Sequence, residues 1–359
     1  MSTDTQSAPE TSAPHQEPVQ VERRLPRRAP LGLYLAGIAL GAALSAATGF
    51  SVPSAVIYGV VLGTLAVYVA TRAVEGRRKA TDGLVTCLVT TAFGIAMIPL
   101  VSLVWTVLDK GLPRFDGAFF THSMFRVVGE GGGAYHAILG TLIITALATL
   151  ISVPIGLMTA VYLVEYGSGR LKRAITFFVD VMTGIPSIVA GLFAFALFTL
   201  LFGTDVRLGV MGAVALSVLM IPVVVRSCEE VLKLVPNELR EASYALGVPK
   251  WRTVVKVVLP TAVAGLGTGV TLSVARVVGE TAPLLITVGL ITGTNLNPID
   301  GRMATLPVFA YYQLTQPGTA TQAFLDRAWT AALVLIILVM ALNVVARLIS
   351  RFFAPKTGR

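Results

Sequence analysis

One arginine lies where a charge is costly. Arg276 sits in the apolar run Ala275-Arg276-Val277-Val278-Gly279-Glu280-Thr281-Ala282-Pro283-Leu284, and Glu280 follows one helical turn later. Charges at bilayer depth are expensive, so both must face protein or water, and they are expected to pair. On a helix, Gly269, Ser273, Arg276 and Glu280 share a face that presents a hydroxyl, a guanidinium and a carboxylate. Gly269 leaves room there for close approach. Thr281 lies off that stripe, but Pro283 just beyond could turn it inward. A guanidinium grips an oxyanion such as phosphate through two parallel hydrogen bonds and never loses its charge. A carboxylate beside it could hold the arginine in place, or accept a hydrogen bond from a protonated anion, which favours HPO4²⁻ over sulfate. Two readings stand side by side: an anion path, or a structural ion pair between helices.

Other chemistries find little support. His15, His122 and His136 are scattered, and Cys87 and Cys228 have no metal-ligand spacing. No Ser/His pair, HExxH or paired aspartate occurs in the apolar runs. GxxxxGK[ST] is also missing, so ATP hydrolysis by the usual phosphate-binding loop is excluded for this chain. We expect no catalytic residue, no metal and no cofactor of its own.

The elements that must position Arg276 are membrane helices. The chain of 359 residues is 55% hydrophobic and 13% charged, with mean hydropathy +0.78, whereas a soluble domain carries about 25% charged residues. The continuous apolar runs predict an all-α polytopic membrane protein of about eight spans, near 31–50, 54–71, 83–108, 135–163, 174–203, 208–225, 260–288 and 328–346. They do not alternate, which argues against a β-barrel. Residues 1–30 read as a disordered tail ending in Arg23, Arg24, Arg27 and Arg28, and the run after them is too long for a signal peptide. Residues 31–73 form an N-terminal hairpin with small-residue pairs Gly37/Gly41 and Gly59/Gly63. Residues 83–350 carry every other motif, and 351–359 form a second tail.

Most of the 28 Lys and Arg residues fall on one side of this topology. They gather at both termini, around 72–79 and 170–173, and in the loop between the sixth and seventh spans. That bias puts both termini and this loop in the cytoplasm. The net charge of +9 is then a topogenic signal, and nucleic acid is not an expected partner.

The polar loop at 237–260 has its own internal logic. Asn237 is a plausible N-cap with Glu238 at the positive helix end. A helix over 238–246 puts Leu239, Ala242 and Leu246 on one face. Gly247 suits a left-handed helix end, Pro249 opens a second helix, and Leu259-Pro260 ends it. Glu241-Ala242-Ser243, three residues, Gly247, nine residues, then Val257-Val258-Leu259-Pro260 resembles the EAA loop of ABC-importer permeases. Ser243 stands for the second Ala and Val257 for Ile. The resemblance implies a cytoplasmic helix-turn-helix docked into a separate ATPase.

Three further segments are similar to the PstA permeases of phosphate importers. They are Ser152-Val153-Pro154-Ile155-Gly156-Leu157, Gly184-Ile185-Pro186-Ser187-Ile188-Val189-Ala190-Gly191-Leu192, and the run around Arg276. The likeness covers roughly residues 83–350 and implies a six-helix type I permease core in a bacterial cell membrane, importing phosphate. It also implies a dimeric PstB ATPase that binds ATP-Mg, a homologous PstC permease, and an extracytoplasmic PstS binding protein. Pro154, Pro186 and Pro222 each interrupt a span and are candidate gating kinks. The rivals are a PstC-type or sulfate/molybdate permease and, from another class, an ATP-independent transporter or channel. The EAA loop argues against the last, as does the lack of an inverted repeat.

Overall fold

The computed structural model describes residues 25–353, apart from Arg27, Thr48, Phe50, Asp205 and Thr319. Nearly all of the N-terminal tail and most of the C-terminal one lie outside the described residues. No strand occurs among the described residues. In chain order the helices are α1 (Ala29–Ala47), α2 (Val52–Glu75), α3 (Arg77–Gly111), α4 (Gly117–Thr121) and α5 (Tyr135–Val161). A π turn (Tyr162–Tyr166) comes next, then α6 (Gly169–Thr183), α7 (Ser187–Phe202), α8 (Gly209–Lys233), α9 (Asn237–Ala245) and α10 (Lys250–Thr253). A second π turn (Val254–Val258) leads into α11 (Leu259–Val278), α12 (Ala282–Thr287), α13 (Leu306–Thr315) and α14 (Thr321–Phe353). Seven continuous helical stretches are long and apolar enough to cross a membrane, and α6 with α7 passes that test only as a pair.

The chain divides into two compact units inside α3, between Leu103 and Val104, whereas the sequence suggests a boundary near 73–83. In the first unit α1 and α2 lie backbone against backbone. The glycines mesh antiparallel, Gly37 on Gly63 and Gly41 on Gly59, and a Cβ on Gly41 would stand 2.1 Å from the Gly59 nitrogen. Ser51 caps α2, and the Ser45 and Ser54 hydroxyls join at 2.6 Å across the turn. Tyr34 ties α3 to α1 through the Thr91 hydroxyl at 2.5 Å.

The second unit is built around α8, most of whose length is buried. Small residues again set the contacts. Gly156 of α5 meets Val224, while Gly265 and Gly269 of α11 meet Val231 and Ser227. Gly191 of α7 meets Pro283 of α12, so a Cβ there would lie 2.6 Å from the Pro283 Cα. Two of the motifs singled out in the sequence therefore touch. Arg327 is fully buried in α14. Its Nε donates to Gln313 Oε1 at 3.0 Å, and its Nη1 donates to the Gly129 and Gly131 carbonyls at 2.8 and 2.9 Å.

The prolines behave differently from expectation. Pro154 and Pro222 lie inside continuous helices, and Pro222 is buried among neighbours that hold α8 together around the missing hydrogen bond. Neither interrupts its span. Only Pro186 does. Gly184 ends α6, Ile185 is pushed out of the helical region by the following proline, and α6 and α7 meet at 108°. The fifth span is thus two helices rather than one run over 174–203.

Candidate functional site

The loop at 237–260 folds as the expected helical hairpin. Helix α9 starts one residue early, with Pro236 in the N-cap position and Asn237 already helical. Asn237 is therefore not the cap. Its Oδ1 accepts from Arg240 Nη1 at 3.2 Å instead. Gly247 takes φ +74°. The Gly247 N–H donates to the Tyr244 carbonyl at 2.9 Å and the Val248 N–H to the Ser243 carbonyl at 3.2 Å. Those two bonds close α9 in a Schellman motif, which needs a left-handed residue at this position. Pro249 caps α10 as the sequence indicates.

Ser243, the departure from the Ala pattern, has a structural reason. Its hydroxyl meets the Thr253 hydroxyl at 2.8 Å across the hairpin, and both residues are buried. Glu241 and Ala242 are exposed. So is an apolar face formed by Leu239 (40%) and Leu246 (83%) on either side of Ala242.

Pro260 does not end the second helix. Helix runs without a break from Lys250 to Val278. Proline cannot donate to a carbonyl one turn back, and the π turn just before it absorbs the fault: the Leu259 N–H reaches back to the Val254 carbonyl. The hairpin and Arg276 are therefore ends of one rod, about 43 Å long at 1.5 Å per residue.

The stripe expected on that rod is redistributed. Gly269 and Ser273 face α8: Gly269 abuts Ser227, and the fully buried Ser273 donates its hydroxyl to the Gly269 carbonyl at 2.9 Å. Arg276 instead shares an exposed face with Thr261, Ala264, Thr268 and Leu272. Helix α11 stops at Val278 because Pro283 opens a new helix, which leaves Gly279, Glu280 and Thr281 in the break. Among the described residues neither Arg276 nor Glu280 has an ion pair, so the expected pairing between them is not made. Thr281 lines a separate apolar cavity of about 470 Å³ with Leu285, Tyr311 and Trp329.

Sequence reasoning missed the charges beneath the hairpin. Arg240 Nε and Nη2 donate to Glu165 Oε1 at 3.0 and 2.8 Å. Its Nη1 donates to the Val235 carbonyl at 2.6 Å and its Nη2 to the Leu232 carbonyl at 3.1 Å. Lys250 lies over the Tyr166 ring at 5.1 Å. On α8, Arg226 bridges Asp180 of α6 and Glu229 (2.7 Å to the latter), and Lys233 meets the other Glu229 oxygen at 2.8 Å. Glu165 gave the one available signal: a carboxylate ending a long apolar run asks for a cation.

A bundle of membrane-length helices, a charge left exposed on one of them, and a structured polar hairpin with exposed leucines fit the membrane subunit of a multi-component transporter. The comparisons give this class a family. Residues 152–359 match the family described as binding-protein-dependent transport system inner membrane component. "Phosphate transport system permease protein PstA 1" of Mycobacterium tuberculosis is 50% identical over 79% of this chain and 91% of its own length. PstA of Mycobacterium leprae is 49% identical over 77% and 90%, and that of Pasteurella multocida 37% over 78% and 97%. A chain from a bacterial alginate ABC transporter shares the fold, with TM-score 0.54, 15% identity, and coverage of 78% of this chain and 97% of that one. The chain belongs to the binding-protein-dependent inner-membrane permeases, and within them to the PstA permeases.

Proposed function

We propose that this chain forms half of the translocation path of an ATP-driven importer of inorganic phosphate. The other half comes from a homologous PstC-type permease, and a PstS-type binding protein delivers the anion from outside. A PstB-type ATPase dimer binds and hydrolyses ATP-Mg, while this chain carries no catalytic residue. Both termini and the hairpin lie on the cytoplasmic side, where the basic residues gather. The observation that carries the reading is the rod from Lys250 to Val278, with a docking hairpin at one end and Arg276 at the other. An exposed guanidinium at membrane depth faces water or a partner subunit, not lipid. It would hold phosphate bidentately, with Glu280 accepting a proton-bearing oxygen. That it makes no ion pair among the described residues favours the anion path over the structural pair.

Copurification tests the coupling end. An ATPase retained by the unaltered chain should be lost on Glu241→Lys, which reverses an exposed charge on the docking face. Gly247→Pro should also release it, since proline is confined near φ −65° and lacks the N–H that closes α9. Full retention by both variants would sink this part of the reading. Phosphate, and not sulfate, should accumulate in proteoliposomes that hold the complete complex.

A further inference from the structure

We infer that Arg240 and Glu165 form a positioning clamp that makes the hairpin move as one body with the ends of α5 and α8. The inference rests on the importer reading above. All five guanidinium N–H groups of Arg240 are used. Two go to Glu165 Oε1, two to the Leu232 and Val235 carbonyls at the end of α8, and one to Asn237 of the hairpin itself. Three elements therefore meet at one planar group whose orientation is fixed by every bond it makes. Glu165 side-chain exposure is 4% and that of Arg240 is 13%, so the pair is largely closed to water.

A buried ion pair is weak evidence for stability, because apolar residues of similar size often do as well. What the fork adds is direction. A lysine would bring the same charge but could not hold three directions at once. The π turn supplies the other half of the geometry. One extra residue in the last turn of α5 rotates the chain beyond it by about 100°, and Glu165 lies within that turn. The second arm of the hairpin is fastened to the same turn through Lys250 and Tyr166.

The clamp has a mechanical purpose because the rod reaches only the second arm of the hairpin. Helix α10 continues into α11, but α9 is tied covalently only through the short segments 234–236 and 246–249. With those alone, a push on α9 would be taken up as pivoting. Fastened also to α5 and α8, the hairpin cannot tilt without carrying the core with it.

The test uses the full complex in proteoliposomes with its ATPase, binding protein and phosphate. Arg240→Lys and Glu165→Gln should each keep the ATPase bound. Each should lose the stimulation of ATP hydrolysis by loaded binding protein and cut uptake by about tenfold, a coupling loss within the usual range. Stimulation and uptake within about twofold of the unaltered complex would overturn the clamp. So would loss of the bound ATPase, which would make the pair part of the docking surface. If Arg240→Lys does not assemble, Glu165→Gln decides alone, since it keeps the shape but removes the charge that strengthens both bonds to Arg240. Absence of phosphate uptake by the unaltered complex would sink the functional reading instead, and ATPase stimulation still reads the clamp.

Discussion

An Arg276→Gln variant is expected to lose phosphate uptake roughly 12- to 150-fold while still binding its ATPase and holding its fold. Glutamine keeps hydrogen-bonding capacity and most of the length, but loses the charge and the fork. A hydrogen bond to a charged group contributes about 1.5–3 kcal/mol, and that is the loss converted here. The fold should survive because Arg276 makes no described ion pair or hydrogen bond and is exposed on α11. The ATPase should stay because the docking face lies at the far end of the rod. Uptake of radiolabelled phosphate, measured beside ATPase copurification, separates these effects. Normal uptake would remove Arg276 from the path. Loss of assembly would return it to a structural role.

Gly140→Val should prevent the second unit from packing. A Cβ at Gly140 would stand 2.0 Å from the Ala304 carbonyl oxygen and 3.0 Å from Met303 Cγ. That strand of backbone cannot simply step aside. The Leu306 N–H two residues on donates to the buried Thr141 hydroxyl at 2.7 Å, which fixes the segment against α5. Overpacking typically costs about 1–3 kcal/mol, and losing the buried hydrogen bond adds about 1–3 kcal/mol. A total of about 4 kcal/mol is a large part of a domain's stability, so little monodisperse protein should survive detergent extraction. Gly279→Ala is the control, since nothing lies within 4 Å of its Cβ position and its φ is negative. Equal yield and melting temperature for the two variants would refute the packing argument.

How much of the molecule is legible in the sequence depends on the range of each interaction. The hairpin is legible because its signals are local: the turn at Gly247, the proline at 249, and apolar residues at 239, 242 and 246. The antiparallel mesh of Gly37/Gly63 and Gly41/Gly59 is half legible, since spacing marks the faces but not their pairing. The α11 stripe misleads because helical phase tells which residues align, not which side meets α8. Close packing on Ser227 decides that, and a single sequence holds no trace of it. Pro260 reads as a stop because the π turn that accommodates it has no sequence rule. The Arg240–Glu165 bond joins residues 75 apart, beyond any local pattern. The break at Gly184-Ile185-Pro186 is written in the chain, but the apolar run on both sides hides it.

That break carries a consequence for the lipid around the protein. Helix α7 has 16 residues, so it is about 24 Å long, against a hydrocarbon core of about 30 Å. Its partner α6 turns away at 108° and adds little to the crossing. The bilayer must thin locally to meet α7, or α7 must be pulled toward one surface. It packs through Gly191 on Pro283, just beyond the break that holds Glu280. Thickness mismatch would therefore act at the segment just after Arg276, and phosphate uptake is expected to vary with the acyl-chain length of the host membrane.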